Sequence, residues 1–275
     1  MANGDMGWAR LDPAYAPPEI DTTKPSVARV YDAILGGKDN FAVDRAVAEL
    51  SVEAMGDGGS GARLNRAMLG RAVRFMAANG ISQFLDLGSG LPTAQNTHQI
   101  ARAVNPVARV VYVDNDPSVF LHGRALVADD PATTVILADV TAPGTVLGSP
   151  EVTRLIDFSQ PVGLICNAVL HHLLDEEDPY GAVTAYQDAV VPGSYLQVTH
   201  FCDAAPEAAA SVRVLRENLG RGQLRGRAEI ERFFDGWELI EPGLVFLSEW
   251  RPDEPLTLPL DVGSLLMLAG VARKP

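Results

Sequence analysis

Apolar residues change their spacing along the chain near residue 80. Upstream they recur at the three-to-four-residue interval of a helix face, and downstream they gather in short runs separated by helix-like stretches. The upstream part predicts helices. Pro25-Ser26 opens the first, over 27–35, with proline near the first turn. Gly36-Gly37-Lys38-Asp39-Asn40 breaks it, and a second helix covers roughly 42–54. A flexible glycine-rich loop at 56–61 leads into a long helix over 62–78, with Leu64, Met68, Ala72 and Phe75 on one stripe. Asn79-Gly80 closes it. Residues 1–24, rich in Pro, Gly and Asp, show no period and read as an arm, mobile or draped over the surface.

Downstream, apolar strands are expected at 83–87, 109–113, 134–137, 162–166 and 194–199, with helices at 93–104, 118–128 and 180–190 between them. Strands alternating with helices in this way predict an α/β fold, a doubly wound and mostly parallel sheet. A short helix at 228–234 follows. Strands at 237–240 and 265–271 then come with no helix between them, which predicts an antiparallel hairpin at the sheet edge and seven strands in all. The expected organisation is an arm at 1–24, an added N-terminal helical extension or lid at 25–80, and a core at 81–275.

The chain has 275 residues, 47% hydrophobic and 21% charged, enough to bury a core without staples. One enlarged α/β domain fits this length as well as two. Cys166 and Cys202 lack metal-ligand spacing, so a reducing compartment is expected. No basic-then-apolar leader and no apolar run near ~20 residues is seen, so the expectation is a cytoplasmic protein without a membrane span. The net charge of −13 repels phosphate backbones and argues against nucleic acid as a partner. Arg213, Arg216, Arg221, Arg225 and Arg227 form a local basic stretch, read as a solvated helix end and loop.

In an open α/β sheet ligands bind outside the carboxyl ends of the strands, so the residues there decide the chemistry. They are Asp86, Asp114, Asp139 and Asn167. The first turn reads Asp86-Leu87-Gly88-Ser89-Gly90-Leu91-Pro92, and Gly88 and Gly90 allow a tight turn and close backbone approach. The dinucleotide pattern would require glycine where Thr93 stands. A carboxylate at Asp86 would oppose a diphosphate at the helix N-terminus and would suit an ammonium group. Asp114 can accept two ribose hydroxyls, with Asn115 beside it; its other reading is a turn aspartate. Asp139 can take an adenine amino group while the neighbouring amide of Val140 reads a ring nitrogen; its other reading is a helix cap. His171 and His172, just past Asn167, could serve as general bases for an acceptor, or could be capping or packing histidines. His98 and His122 fall within predicted helices, and His200 ends the fifth strand. No histidine pair has zincin spacing with a third ligand, so no metal is expected.

These strand-end acids resemble those of S-adenosylmethionine-dependent methyltransferases with a Rossmann-like fold. A closer resemblance lies in Pro25-Ser26-Val27-Ala28-Arg29-Val30-Tyr31-Asp32, Leu35-Gly36-Gly37-Lys38-Asp39-Asn40-Phe41, Asn65-Arg66, Leu69-Gly70-Arg71-Ala72-Val73, residues 83–93, residues 111–117 and Pro192-Gly193-Ser194-Tyr195-Leu196. These segments are similar to those of an uncharacterised bacterial family of such enzymes, over nearly the whole chain from residue 25. The resemblance implies S-adenosylmethionine as cofactor and names no acceptor. It implies that Tyr31, Gly37 and Asn40 belong to a lid over the cofactor, where the residues alone also allow an ordinary inter-helix turn. It implies that Asn167 lies beside the sulfonium. Pro92 stands where a third glycine is common in methyltransferases, which stiffens that turn.

The expected activity is direct methyl transfer to an unidentified small molecule, with the protein supplying alignment and desolvation. Two other readings stay open: a protein that binds S-adenosylmethionine without catalysis, and a nicotinamide oxidoreductase. The oligomeric state is not legible.

Overall fold

A computed structural model describes residues 18–93 and 95–275. Residues 1–17 of the expected arm lie outside the described residues.

The chain enters through helices α1 (Val27–Ile34), α2 (Ala42–Met55) and α3 (Ser60–Ala78). Ser26 caps α1 by accepting from the Arg29 amide at 3.2 Å. The loop before α3 is shorter than its glycines suggest. Asp57 accepts from the amides of Gly59 and Gly61 at 2.8 and 2.6 Å, and the helix starts at Ser60 rather than 62.

The core follows as β1 (Gln83–Leu87), α4 (Thr97–Val104), β2 (Arg109–Asp114), α5 (Pro117–Leu126), β3 (Thr133–Leu137), α6 (Pro143–Leu147), α7 (Pro150–Leu155), β4 (Gly163–Asn167), α8 (Pro179–Ala189), β5 (Tyr195–Phe201) and α9 (Pro206–Leu219). The chain ends with α10 (Arg227–Glu231), β6 (Glu238–Leu239), β7 (Val245–Phe246), α11 (Val262–Leu265) and β8 (Met267–Arg273). Helix α4 begins at Thr97, four residues later than expected, because Asn96 and Gln99 close a capping pair: the Asn96 amide donates to Gln99 Oε1 at 2.9 Å.

The described residues form an eight-stranded sheet ordered β3-β2-β1-β4-β5-β8-β6, with β7 paired to β8. Strands β1 to β5 run parallel, and β8 is antiparallel to β5 and β6. The antiparallel edge is therefore present, but not as a tight hairpin. β8 inserts between β5 and β6, and the connection from β6 carries β7 and α11, which the spacing of apolar residues did not reveal.

Both faces of the sheet are covered, which is why its strands read as continuous apolar runs. Phe84, Val110, Tyr112 and Ile165 join a core under α3, α4 and α9. Leu85, Val111, Val113, Leu164 and Cys166 join a second core on the opposite face, against α7 and α8. Consecutive β1 residues point to opposite faces, as the pleat demands. The chain leaves β1 for β2 and β3, then crosses back to β4. The carboxyl ends of β1 and β4 thus flank the switch point, where such sheets open a ligand crevice.

One buried ion pair ties the N-terminal helices to this crevice. Arg29 Nε donates to Asp44 Oδ2 at 2.9 Å, with side-chain exposures of 5% and 0%. The other guanidinium nitrogens donate to Ser118 Oγ on α5 at 3.1 Å and to the carbonyls of Asp21 and Lys24 at 3.1 and 2.6 Å. Asp44 also accepts from the amides of Ser26 and Phe41. Removing one partner strands a buried charge. Arg29→Ala is expected to destabilise the protein by about 3–5 kcal/mol in denaturant titration and to open residues 19–26 to limited proteolysis. A loss under about 1 kcal/mol would mean that the pair does not hold this segment.

Candidate active site

Strand β1 ends in a turn that only glycine can make. Gly88 has φ +72°, and a Cβ there would lie 2.2 Å from Val169 Cγ2. Gly90 has φ +67°, and its amide donates to Asp114 Oδ2 at 2.9 Å. The turn and the end of β2 are thereby locked together. The second Asp114 oxygen accepts from the Asp116 amide at 3.0 Å.

A cavity of about 420 Å³ opens at this edge of the sheet. Its floor comes from the strand ends: Asp86, Gly88, Gly90, Asp114, Asn115, Asp139, Val140 and Asn167 all line it. Its roof is the N-terminal segment, including Glu19, Lys24, Arg29 and Tyr31. The described part of the arm thus lies over the cleft, anchored by Arg29, and is not a free surface tail.

The three acids differ in their electrostatics. Asp86 is 3% exposed, and Thr97 Oγ1 donates to its Oδ2 at 2.6 Å. Burial pushes its carboxyl up to about 6, against the hydroxyl of Thr97 and the positive charge of Arg66. Burial likewise pushes Asp114 up to about 6, although two backbone amides hold it down. Asp139 is half-buried. Burial raises its pKa, but bonds from Thr141 and from Asn115 Nδ2 (3.0 Å) outweigh that and hold it below the ordinary value. Its Oδ1 also closes the turn to Thr141, so the turn and cavity-lining readings of Asp139 both apply.

At the end of β4, Asn167 Oδ1 accepts from Gln197 Nε2 at 3.2 Å. A hydrogen-bond chain runs from there to the roof. The Ala168 amide donates to Thr199 Oγ1, and Thr199 donates to Asn65 Oδ1 at 2.7 Å. Asn65 Nδ2 donates to the Tyr31 hydroxyl at 3.0 Å, and that hydroxyl donates to the Ala62 carbonyl at 3.1 Å. Both bonding capacities of the Tyr31 hydroxyl are used, and burial raises its pKa. It is the Tyr31 side chain as a wall that the cavity receives, not a proton donor or base.

Gly37 and Asn40 do not reach the cavity. Their loop wraps the buried carboxylate of Asp32, which accepts from Asn40 Nδ2 at 2.8 Å and from the Asp39 amide at 3.0 Å. Of the two readings of Gly37 and Asn40, the inter-helix turn is the one their hydrogen bonds describe, and residues 19–31 form the roof.

His172 lines the main cavity, whereas His171 lines only a smaller chamber behind it. Their rings pack 4.4 Å apart between centroids. Burial pushes His172 down to about 4, with Arg221 adding to the effect, and burial takes His171 well below the ordinary value. Both imidazoles are therefore neutral at physiological pH. Both leave Nδ1 buried without a hydrogen-bond partner among the described residues.

The basic stretch is only partly a solvated surface. Arg213, Arg216 and Arg227 are exposed, but Arg225 is 1% exposed. It bonds the carbonyls of Leu170 and Leu173 at 3.2 Å, His200 Nε2 at 2.8 Å and Asp175 at 2.6 Å. Arg225 clamps the 3-10 turn Leu170–His172 in place. Arg221 pairs with Glu177, and both line the main cavity. Arg66, which hydrogen-bonds Thr93 Oγ1 at 2.7 Å and lines the cavity beside Asp86, also escaped the sequence reading. Its place within Asn65-Arg66 on the inner face of a long helix was the available signal. Among the described residues no three His, Cys, Asp or Glu side chains gather as a metal site requires.

Comparison with known proteins adds to this geometry. The sequence profile of a family described as S-adenosyl methyltransferase matches residues 13–275. A candidate methyltransferase from Thermobifida fusca YX, solved by crystallography, is 51% identical. It superposes with a TM-score of 0.91, over 95% of this chain and 99% of that one. A DUF574 family protein from Streptomyces avermitilis MA-4680 is 38% identical, with a TM-score of 0.89 over 94% of this chain and 100% of that one. No curated protein matches the chain.

The raised carboxyl of Asp86 has a consequence for the ligand-free protein. Its pKa goes from an ordinary 3.8 to about 6 on folding, so the folded state binds its proton more tightly than the unfolded state. Acidification through that window stabilises the fold, and above it the buried charge is a burden. Asp86→Asn is expected to gain about 1–3 kcal/mol at pH 8, with Tm rising by roughly 2–4 °C per kcal/mol. The gain should fade toward pH 4. An equal change in Tm at both pH values, read by calorimetric scans, would contradict a desolvated carboxylate.

Proposed function

The chain belongs to the S-adenosyl methyltransferase family, and on that premise we propose that it binds S-adenosylmethionine in the roofed cavity and methylates a small molecule there. The chain is an S-adenosylmethionine-dependent methyltransferase by family and fold. The observation that carries the assignment of this cavity is the convergence of Asp86, Asp114 and Asp139 on one enclosed space. Three carboxylates oppose a diphosphate and suit a cationic, hydroxyl-bearing nucleoside.

In this reading Asp86 faces the α-ammonium of the cofactor, and Gly88 and Gly90 let its methionine part approach the backbone. Asp114 and Asn115 take the ribose. Each Asp114 oxygen already accepts one amide and keeps a lone pair for a hydroxyl. Asp139 and the Val140 amide meet the adenine edge, and Asn167 with the Tyr31 ring lies near the reacting end. The bound cofactor supplies an already activated methyl group, so the protein's work is alignment and exclusion of water. His171 and His172 serve the acceptor side, and His172 is the one that borders the cofactor cavity. A small acceptor fits a cleft closed by residues 19–31, since a nucleic acid would have to displace that roof and meet a net charge of −13. Among the described residues no helix is long and apolar enough to cross a membrane.

Titration calorimetry with S-adenosylmethionine tests the binding half. Asp114→Ala should weaken binding by about 1–3 kcal/mol, five- to 150-fold in Kd. Asn40→Ala, which alters only the turn around Asp32, should leave it within about twofold. Equal losses at Asp114 and Asn40 would point to a different site. The catalytic half is tested by release of S-adenosylhomocysteine over a panel of small acceptors. Cofactor binding without turnover on any of them would favour a binding protein.

A further inference from the structure

Behind the main cavity lies a second chamber of about 50 Å³, lined by α1, α2, α3, α9 and the end of the sheet. The two spaces share Val27, Tyr31, Ala168 and His172 as walls, so the chamber adjoins the cavity at the end of β4. One water needs ~10–15 Å³ on the same measure, so the chamber holds the equivalent of about four waters, the bulk of one small ring.

Its chemistry is narrow. Ile34, Met55, Phe201, Leu215, Leu219 and Met267 supply an apolar wall, and among the described residues no Asp, Glu, Lys or Arg borders it. The Tyr31 and Ser51 hydroxyls on its wall already donate to the carbonyls of Ala62 and Val47. What remains on its wall are the imidazoles of His171 and His172 and the hydroxyl of Ser211. Neutral imidazole nitrogens in an apolar chamber match an occupant with an apolar body and a polar hydrogen.

We propose that this chamber is the acceptor subsite, and that it takes a small, uncharged aromatic molecule whose O–H or N–H meets His172 or His171. This rests on the cofactor reading of the main cavity. In the transfer itself the acceptor heteroatom forms the new bond to the methyl carbon. The carbon–sulfur bond breaks with its electron pair left on sulfur, and the sulfonium becomes a neutral thioether. The acceptor's proton passes to an imidazole nitrogen and on to solvent. A weakly basic imidazole suffices, because the heteroatom becomes strongly acidic as it is methylated. Anionic, zwitterionic and sugar-like acceptors are excluded by the same wall.

The test uses the full chain loaded with S-adenosylhomocysteine and measures binding of phenol, toluene, benzoate and glycerol by saturation-transfer NMR and calorimetry. Phenol should bind about tenfold tighter than toluene, and benzoate and glycerol should not bind. His171→Leu with His172→Leu should erase the preference for phenol over toluene. Ser211→Leu, which fills the chamber from α9, should abolish phenol binding while S-adenosylhomocysteine binding stays unchanged. Should that variant lose the cofactor product too, Ala62→Leu, filling from α3, takes its place. Phenol that fails to bind, binds no better than benzoate, or survives filling of the chamber overturns the proposal. Loss of S-adenosylhomocysteine binding in the unaltered protein contradicts the cofactor reading instead, and phenol binding to the ligand-free protein then decides the chamber on its own.

Discussion

A parallel sheet forces all its strands to end on the same edge, and here that edge concentrates carboxylates in a place with little water. Asp86 and Asp114 are nearly fully buried, and both are pushed up to about 6. Among the described residues no side-chain cation pairs with either directly; Arg66 acts on Asp86 through its field while hydrogen-bonding Thr93. A fold selected for stability alone would not keep two such groups. They are consistent with a site waiting for a positive charge and for hydroxyl donors, which is what S-adenosylmethionine offers to this family of enzymes.

The rest of the molecule holds that edge closed and shaped. Arg29 and Asp44 fasten the N-terminal segment across the cleft, and one guanidinium reaches α2, α5 and two roof carbonyls at once. The chain of bonds Ala168–Thr199–Asn65–Tyr31–Ala62 holds Tyr31 and Ala168, which border both spaces, in place. Arg225 grips the turn that carries both histidines. Each tie joins segments far apart in sequence, so the site is a product of the tertiary structure rather than of any one loop.

That distance explains what could be read from the chain and what could not. Asp86, Asp114, Asp139, Val140 and Asn167 were legible because each stands at the end of an apolar strand, and strand ends share an edge by topology. The N-terminal helices and the positions of the first five strands along the chain followed from periodicity for the same local reason. Gly37 and Asn40 carried no such signal, because glycine and asparagine mark any turn, and only the packed structure shows them folded around Asp32. Arg225 looked like surface charge, since nothing local announces Asp175 and His200 as its partners. Helices α6 and α7 are single turns begun by Pro143 and Pro150, too short for a period. Strand β7 has two residues, below any pattern.

The most direct test of the central claim is proton release on cofactor binding, measured by calorimetry at pH 6 in buffers of different ionisation enthalpy. Two carboxyls near pKa 6 are each about half protonated in the free protein. The amino group of S-adenosylmethionine, with an ordinary value near 8, is already charged at this pH. Binding that sets an ammonium against Asp86 should therefore expel about one proton per cofactor, less as the pH rises toward 8. Binding with no net proton release at pH 6, or with uptake, would contradict an ionised carboxylate holding the cofactor.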